Sequence, residues 1–373
     1  TVRGEVFVTS SDYSTTKQIT KTVAEESNVN FGPDNRSLVY SSYRDGYWNV
    51  YIAKIAREED PNFPNATLID EKALIKNDKS EKQYPKFSPD GNEVAFVQDR
   101  KKLMVYNLSE KKLRQITDGS YQYETDGRLN YEWSPDGNWF VLQYVSNGHA
   151  PYTNIGIVSA KTGGEIFDLT QSGYTNRNPR WVMDGNAILF SSERYGMRNH
   201  ASWGSLEDVM IAFVNREAFD KYKMSKEEFE LFTDAEKEAK KVEDEAKKKA
   251  EEANKDKAEN KDKKKTEEKP KEDKNKDKKN ADETPKDIVM EFENMDQRIV
   301  RLTPNSSRLG SFIIDKKGTK LYYLSAVEGD YDLWVHDLRE HSTKLLSKLM
   351  GGYADLSMDK EQKTLFILGR GKM

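Results

Sequence analysis

The 373-residue chain contains no cysteine, which excludes disulfide staples, thiolate metal sites and a thiol nucleophile. The compartment stays open, because secreted repeat proteins also do without cysteine. Only four histidines occur, His149, His200, His336 and His341, too few for a multi-histidine metal centre, and we expect neither metal nor cofactor. No run of about 18 apolar residues exists, so no segment is expected to span a bilayer. A dominant charge is lacking too: Lys+Arg 60 against Asp+Glu 64 leaves a net charge of -4, with no basic field to draw nucleic acid. Gly-rich phosphate loops, His-Glu-x-x-His and Gly-x-Ser-x-Gly are likewise missing, so no catalytic residue is assigned.

What the sequence does contain is one hairpin written repeatedly. Phe87-Ser88-Pro89-Asp90-Gly91-Asn92-Glu93-Val94-Ala95-Phe96 returns as Trp133-Ser134-Pro135-Asp136-Gly137-Asn138-Trp139-Phe140-Val141-Leu142 and as Trp181-Val182-Met183-Asp184-Gly185-Asn186-Ala187-Ile188-Leu189-Phe190. A degenerate copy runs from Phe31 to Tyr40. Pro suits the first central position of a type I turn, Asp the second, and Gly or Asn the left-handed residue that closes the hairpin. Successive turn aspartates lie about 45 to 55 residues apart, room for four short strands and the period of propeller blades. Gly91 and Gly137 directly follow their aspartates, which is not the Ser-x-Asp-x-Gly spacing of sialidase boxes, so we read these as turn residues.

The expected fold class is all-β, a β-propeller of six to seven four-stranded blades with an inserted helix and a disordered charged arm. Blades are expected to begin near Asn28, Gln83, Leu129, Asn178 and Leu309. The stretches Gly4–Thr9 and Lys17–Thr20 read as the outer two strands of a further blade, and Tyr353–Met358 with Thr364–Leu368 as an inner pair. Either these halves pair to close six blades, or the chain is a clipped seven-bladed ring. Third strands carry aromatic and β-branched residues, as at Tyr47–Ile52 and Tyr331–His336, and fourth strands end in Leu/Ile-Thr, as at Ile116-Thr117, Leu169-Thr170 and Leu302-Thr303. The start at Thr1 and the stop just after a strand suggest a piece excised from a longer protein.

The domain organisation expected is propeller over 1–221, a helical and Lys/Glu-rich insertion over 222–287, and propeller again over 288–373. Ser225 with Glu228 and Thr233 with Glu236 both fit a capping box, and Glu236/Lys240 and Glu243/Lys247 fit favourable i,i+4 pairs. From 243 to 287 no apolar residue larger than Ala appears except Pro270 and Pro285, so that stretch cannot offset its ordering entropy.

Two polar patterns invite a functional reading. Ser41-Ser42-Tyr43-Arg44-Asp45-Gly46 recurs as Ser191-Ser192-Glu193-Arg194-Tyr195-Gly196 after second strands, where the arginine would form a structural salt bridge between blades or face a central channel. Arg198, Asn199, His200 and Trp203 concentrate hydrogen-bonding and aromatic capacity, and are the candidate contacts for a peptide or a neighbouring domain. His200 lies two residues from Ser202, but adjacency supplies neither an orienting acid nor an oxyanion hole, so no peptidase activity is expected of this chain.

These repeats, with Ser-x-Arg-x-Gly after second strands and Leu-Thr closing fourth strands, resemble the blades of TolB and of tricorn-type proteases. Arg3-Gly4-Glu5-Val6-Phe7, the stretch Arg194–Ser205, Leu206–Asp220, Met224–Glu228 and Glu293–Thr303 resemble the second, seven-bladed propeller of bacterial tricorn-like serine peptidases. The resemblance implies a non-catalytic module that filters or guides peptides for a catalytic region not contained in these residues. It implies as partners peptides or unfolded polypeptide, other domains of a parent protease, and a homo-oligomeric parent. The location would be cytoplasmic if tricorn-like; a TolB-like envelope scaffold, periplasmic, is the alternative.

Overall fold

The computed structural model describes residues 1–10, 13–76, 78–121, 129–146, 152–197, 204–239, 241–242, 287–327, 329–352, 354–359 and 363–369. Two compact units emerge, one of Thr1–Ala218 with Pro285–Met373 and one of Phe219–Thr284.

The first unit is an all-β propeller of five four-stranded antiparallel sheets flanked by two two-stranded ones. Blade one comprises Glu26–Phe31, Ser37–Ser42, Asn49–Ile55 and Ile69–Ala73. Blade two comprises Lys82–Phe87, Glu93–Gln98, Lys102–Asn107 and Leu113–Gln115. Blade three comprises Tyr131–Trp133, Trp139–Tyr144, Asn154–Ser159 and Phe167–Asp168. Blade four comprises Asn176–Val182, Ala187–Ser192, Asp208–Phe213 and Ile299–Arg301, so the chain leaves between its third and fourth strands and returns to the same sheet. Blade five comprises Arg308–Ile314, Lys320–Ala326, Tyr331–Asp337 and Ser342–Gly351.

The Asp-Gly turns of blades two and three form as their chemistry dictates, whereas in blade four Met183 and Asp184 also take positive φ, 54° and 55°, so that copy departs from the expected turn. Gly91 and Gly137 take φ of 73° and 68°, the left-handed region where a Cβ would be strained. Asp90 accepts from the Asn92 N–H at 3.1 Å and from the Ser88 hydroxyl, while the Ser88 hydroxyl oxygen accepts from the Glu93 N–H at 2.9 Å. Asp136 repeats this network with Ser134 and Asn138 and adds the Ile288 N–H at 2.9 Å. Burial would raise the Asp136 carboxyl, but the Ser134 hydroxyl and the N–H groups of Ile288 and Asn138 outweigh it and hold it below the usual range.

The Leu/Ile-Thr endings are clamps between outer strands. The hydroxyl oxygens of Thr117, Thr170 and Thr303 accept from the N–H groups of Leu103, Ile155 and Val209 at 3.0, 3.1 and 3.2 Å. Thr20 accepts from Val6 in the same way at 2.9 Å, which identifies Phe7–Thr9 and Thr16–Gln18 as an outer pair. That pair forms its own sheet, and Asp355–Met358 with Leu365–Leu368 forms another; the two do not join into a closing blade. Each packs on its sequence neighbour instead: Val6 and Val8 against Leu38 and Tyr40 of blade one, Ala354 and Leu356 against Leu324 and Leu333 of blade five.

The core therefore lies between blades rather than at a single centre. Blade two meets blade three through Val97, Leu103, Val105, Tyr131, Phe140 and Leu142. Polar links reinforce these seams: the Trp181 N–H donates to Glu132 at 3.0 Å, the Phe87 N–H to Asn30 at 3.2 Å, and Lys86 Nζ to the Tyr131 carbonyl at 2.6 Å. Inner strands of blades one, two, four and five carry a register shift, with Asn28, Tyr84 and Asn178 at positive φ in the first three. Such bulges turn inner-strand side chains toward neighbouring blades and the rim.

In the second unit, Ser225 and Glu228 form the expected capping box, with bonds of 2.8 and 3.3 Å, ahead of a helix over 226–239. Thr233 is not a cap. It lies within that helix and its hydroxyl donates to the Phe229 carbonyl at 2.7 Å, while Glu236 pairs with Lys221 at 2.9 Å. An earlier helix, Arg216–Lys223, begins at Asn215, whose side chain accepts from the Ala218 N–H at 2.8 Å. The disordered arm expected over 243–286 and the Lys240 and Glu243/Lys247 pairings lie outside the described residues.

Candidate functional site

Antiparallel order places every second-to-third-strand connection at the rim opposite the Asp-Gly turns, and the connection over 193–207 in blade four is long. Its ends are tied where the Leu206 N–H donates to the Met197 carbonyl at 3.0 Å. Gly196 permits this approach, since a Cβ there would lie 1.8 Å from the Leu206 oxygen. Arg198, Asn199, His200, Ser202 and Trp203 fall outside the described residues, so the description concerns the base on which they stand.

That base is a carboxylate–guanidinium cluster. Arg177, on the bulged inner strand, reaches Glu193 at 3.0 Å and Glu207 at 2.7 Å. Glu193 is 1% exposed; one of its oxygens has no hydrogen-bond partner, nor has the buried hydroxyl of Thr175 opposite it. Burial pushes the Glu207 carboxyl up, against the attraction of Arg177. Beside it, Asp208 is fully buried and accepts from Arg301, Thr303 and Ser306 at 2.9, 2.7 and 2.7 Å.

The Tyr195 ring has two guanidinium groups near it, Arg194 at 5.7 Å and Arg301 at 5.3 Å from its centroid. Tyr195 is 51% exposed and Met197 77%. The Arg194 guanidinium makes no hydrogen bond or ion pair among the described residues. Its counterpart in blade one behaves differently: Arg44 bridges Glu26 at 3.1 Å and Glu71 at 2.6 Å and lies 4.2 Å over Tyr51. Those are bonds within one blade, not between blades. The same Ser-Ser-x-Arg pattern thus yields a paired arginine in blade one and, among the described residues, no ion pair for Arg194 in blade four, where Asn176 stands opposite Ser192 in place of the Glu26 that stands opposite Ser42.

The described groups of this arrangement, guanidinium, carboxylate and an exposed aromatic ring, are of the kinds that bind ligands. His336 is buried and held below its usual range, chiefly by burial and then by His341, and its Nδ1 is 2.8 Å from the Thr343 hydroxyl in blade five. No group of three metal-ligating side chains occurs among the described residues. Sequence reading singled out the 194–205 stretch but missed Arg177, Glu207 and Asp208. They carry no local motif; only the fold brings them together.

Residues 40–150 match the family described as the dipeptidyl peptidase IV N-terminal region. Over 122 residues, 33% of the chain, the sequence is 25% identical to a tricorn protease homolog of Saccharolobus solfataricus, and the match spans 11% of that relative. Among solved structures, TolB from Acinetobacter baumannii aligns over 91% of this chain and 58% of its own, with 14% identity and a TM-score of 0.45. The tricorn protease aligns over 98% of this chain and 43% of its own, with 9% identity and a TM-score of 0.36. The chain is a β-propeller, part of which is similar in sequence to the dipeptidyl peptidase IV N-terminal region and to a tricorn protease homolog.

Proposed function

We propose that this propeller is the non-catalytic portion of a tricorn-like serine peptidase and that it holds extended polypeptide for proteolysis by a catalytic region outside these residues. The scaffold itself is evident from the sheets; the peptide role is our reading. The observation that carries it is the open platform of Arg194, Tyr195 and Met197 in blade four, set against the saturated Arg44 of blade one. The exposed Tyr195 ring and Met197 side chain offer apolar area, which accepts varied side chains, while Arg194, without a hydrogen bond or ion pair among the described residues, offers bonds to main-chain carbonyls. The similarity to a tricorn homolog supports the protease context.

The test is titration of a fluorescein-labelled unstructured peptide against the chain. Arg194→Ala and Tyr195→Ala are each expected to weaken binding by about five- to tenfold, in line with the loss of one exposed cation–π or aromatic contact. Both should leave the melting temperature nearly unchanged, whereas Arg44→Ala should lower it and spare affinity. Undiminished binding by both platform variants would remove the site from the account.

A further inference from the structure

The outer strand of blade five, Ser342–Gly351, has ten residues, against five, three, two and three in the outer strands of blades one to four. Those shorter strands contain half-buried residues. Here every residue from Thr343 to Lys348 is exposed, so neither face is covered, and the adjacent Leu345 and Leu346 are 39% and 50% exposed. The inner edge ladders with Tyr331–Asp337, while no strand among the described residues pairs with the outer edge. A long, apolar strand edge left this way is a template for another strand.

The charge on the strand selects the occupant. Lys344 and Lys348 flank the leucines and form no ion pair among the described residues, and the strand holds no acidic residue. A second copy laid antiparallel and centred on Leu346 would set Lys344 against Lys348, and like charges directly opposite destabilise a pair. An acidic strand meets the opposite condition. We propose that this edge docks an extended acidic segment of another polypeptide, added to blade five as a further strand. Its carboxylates face Lys344 and Lys348, its apolar side chains cover Leu345 and Leu346, and its main chain completes the ladder.

The test uses two labelled peptides, one alternating Glu with Val and one alternating Lys with Val, titrated against the 373-residue chain by fluorescence anisotropy. The Glu peptide should bind and the Lys peptide should not. In the double variant Lys344→Glu/Lys348→Glu the Glu peptide should weaken by about tenfold at low salt, two reversed cross-strand charge pairs supplying that factor, and the Lys peptide should gain. Melting temperature should not move, and Tyr195→Ala should leave this binding untouched, which separates the edge from the blade-four platform. Equal binding of both peptides, or an undiminished Glu-peptide affinity in the double variant, would overturn the proposal. So would a concentration-dependent dimer that the double variant abolishes, since the occupant would then be a second copy.

Discussion

Single residues decide how this fold treats charge. Glu132, on the inner strand of blade three, takes the Trp181 N–H at 3.0 Å across the seam to blade four. Its burial, only partly countered by Lys86, that N–H and Arg180, raises its carboxyl above the ordinary range. A raised carboxyl contributes stability that is present below the unfolded pKa and lost as pH rises through the folded value. Glu132→Gln keeps an acceptor for the N–H and removes the titration. The melting temperature of the variant, followed relative to the native chain, should rise as pH increases above about 4, the ordinary glutamate value. A constant offset across that range would refute the assignment. The threonine clamps are the second residue-scale test. Thr303→Val strips the Val209 N–H of its acceptor and Asp208 of a donor, and equilibrium unfolding should show a loss of about 1–3 kcal/mol.

At the scale of elements, what could be read from the sequence follows from how local the cause is. The Asp-Gly turns at Asp90 and Asp136, the Leu/Ile-Thr endings and the Ser225/Glu228 box each depend on residues a few positions apart, and they appear where their chemistry puts them. Thr233 with Glu236 has the same pattern but sits inside a helix already begun, where its hydroxyl bonds back to Phe229. The Arg216–Lys223 helix went unseen because its cap, Asn215, ends a buried strand-like run. The Arg177–Glu193–Glu207 cluster joins an inner strand to a distant connection, a relation that no window of sequence contains. Within that connection, Gly196→Ala should prise apart the contact between Leu206 and Met197, since the added carbon meets the Leu206 oxygen. Backbone amide exchange at Leu206 should quicken while amides of the Ala187–Ser192 strand hold; no change there would mean the loop base is not tied as described.

For the molecule as a whole, a repeat architecture divides the core into seams, so stability is the sum of neighbouring contacts rather than of one centre. The repeat period announced the propeller; how the terminal strand pairs are placed could not be read from it, because an unpaired half-blade is complementary to more than one partner. From composition alone we propose that the Lys/Glu tract over 243–286 is a solvated, largely disordered arm. Brief trypsin digestion should then cut within that tract and leave the flanking β-sheet fragments associated; early cuts inside blade strands would contradict it. The most direct test of the central claim, that blade four presents an open polypeptide-binding platform, is hydrogen–deuterium exchange of the chain with and without a saturating unstructured peptide. Protection confined to the 193–207 connection, with the 41–46 stretch around the saturated Arg44 unaffected, is the predicted result. Protection at 41–46 instead, or none at 193–207, would contradict the account.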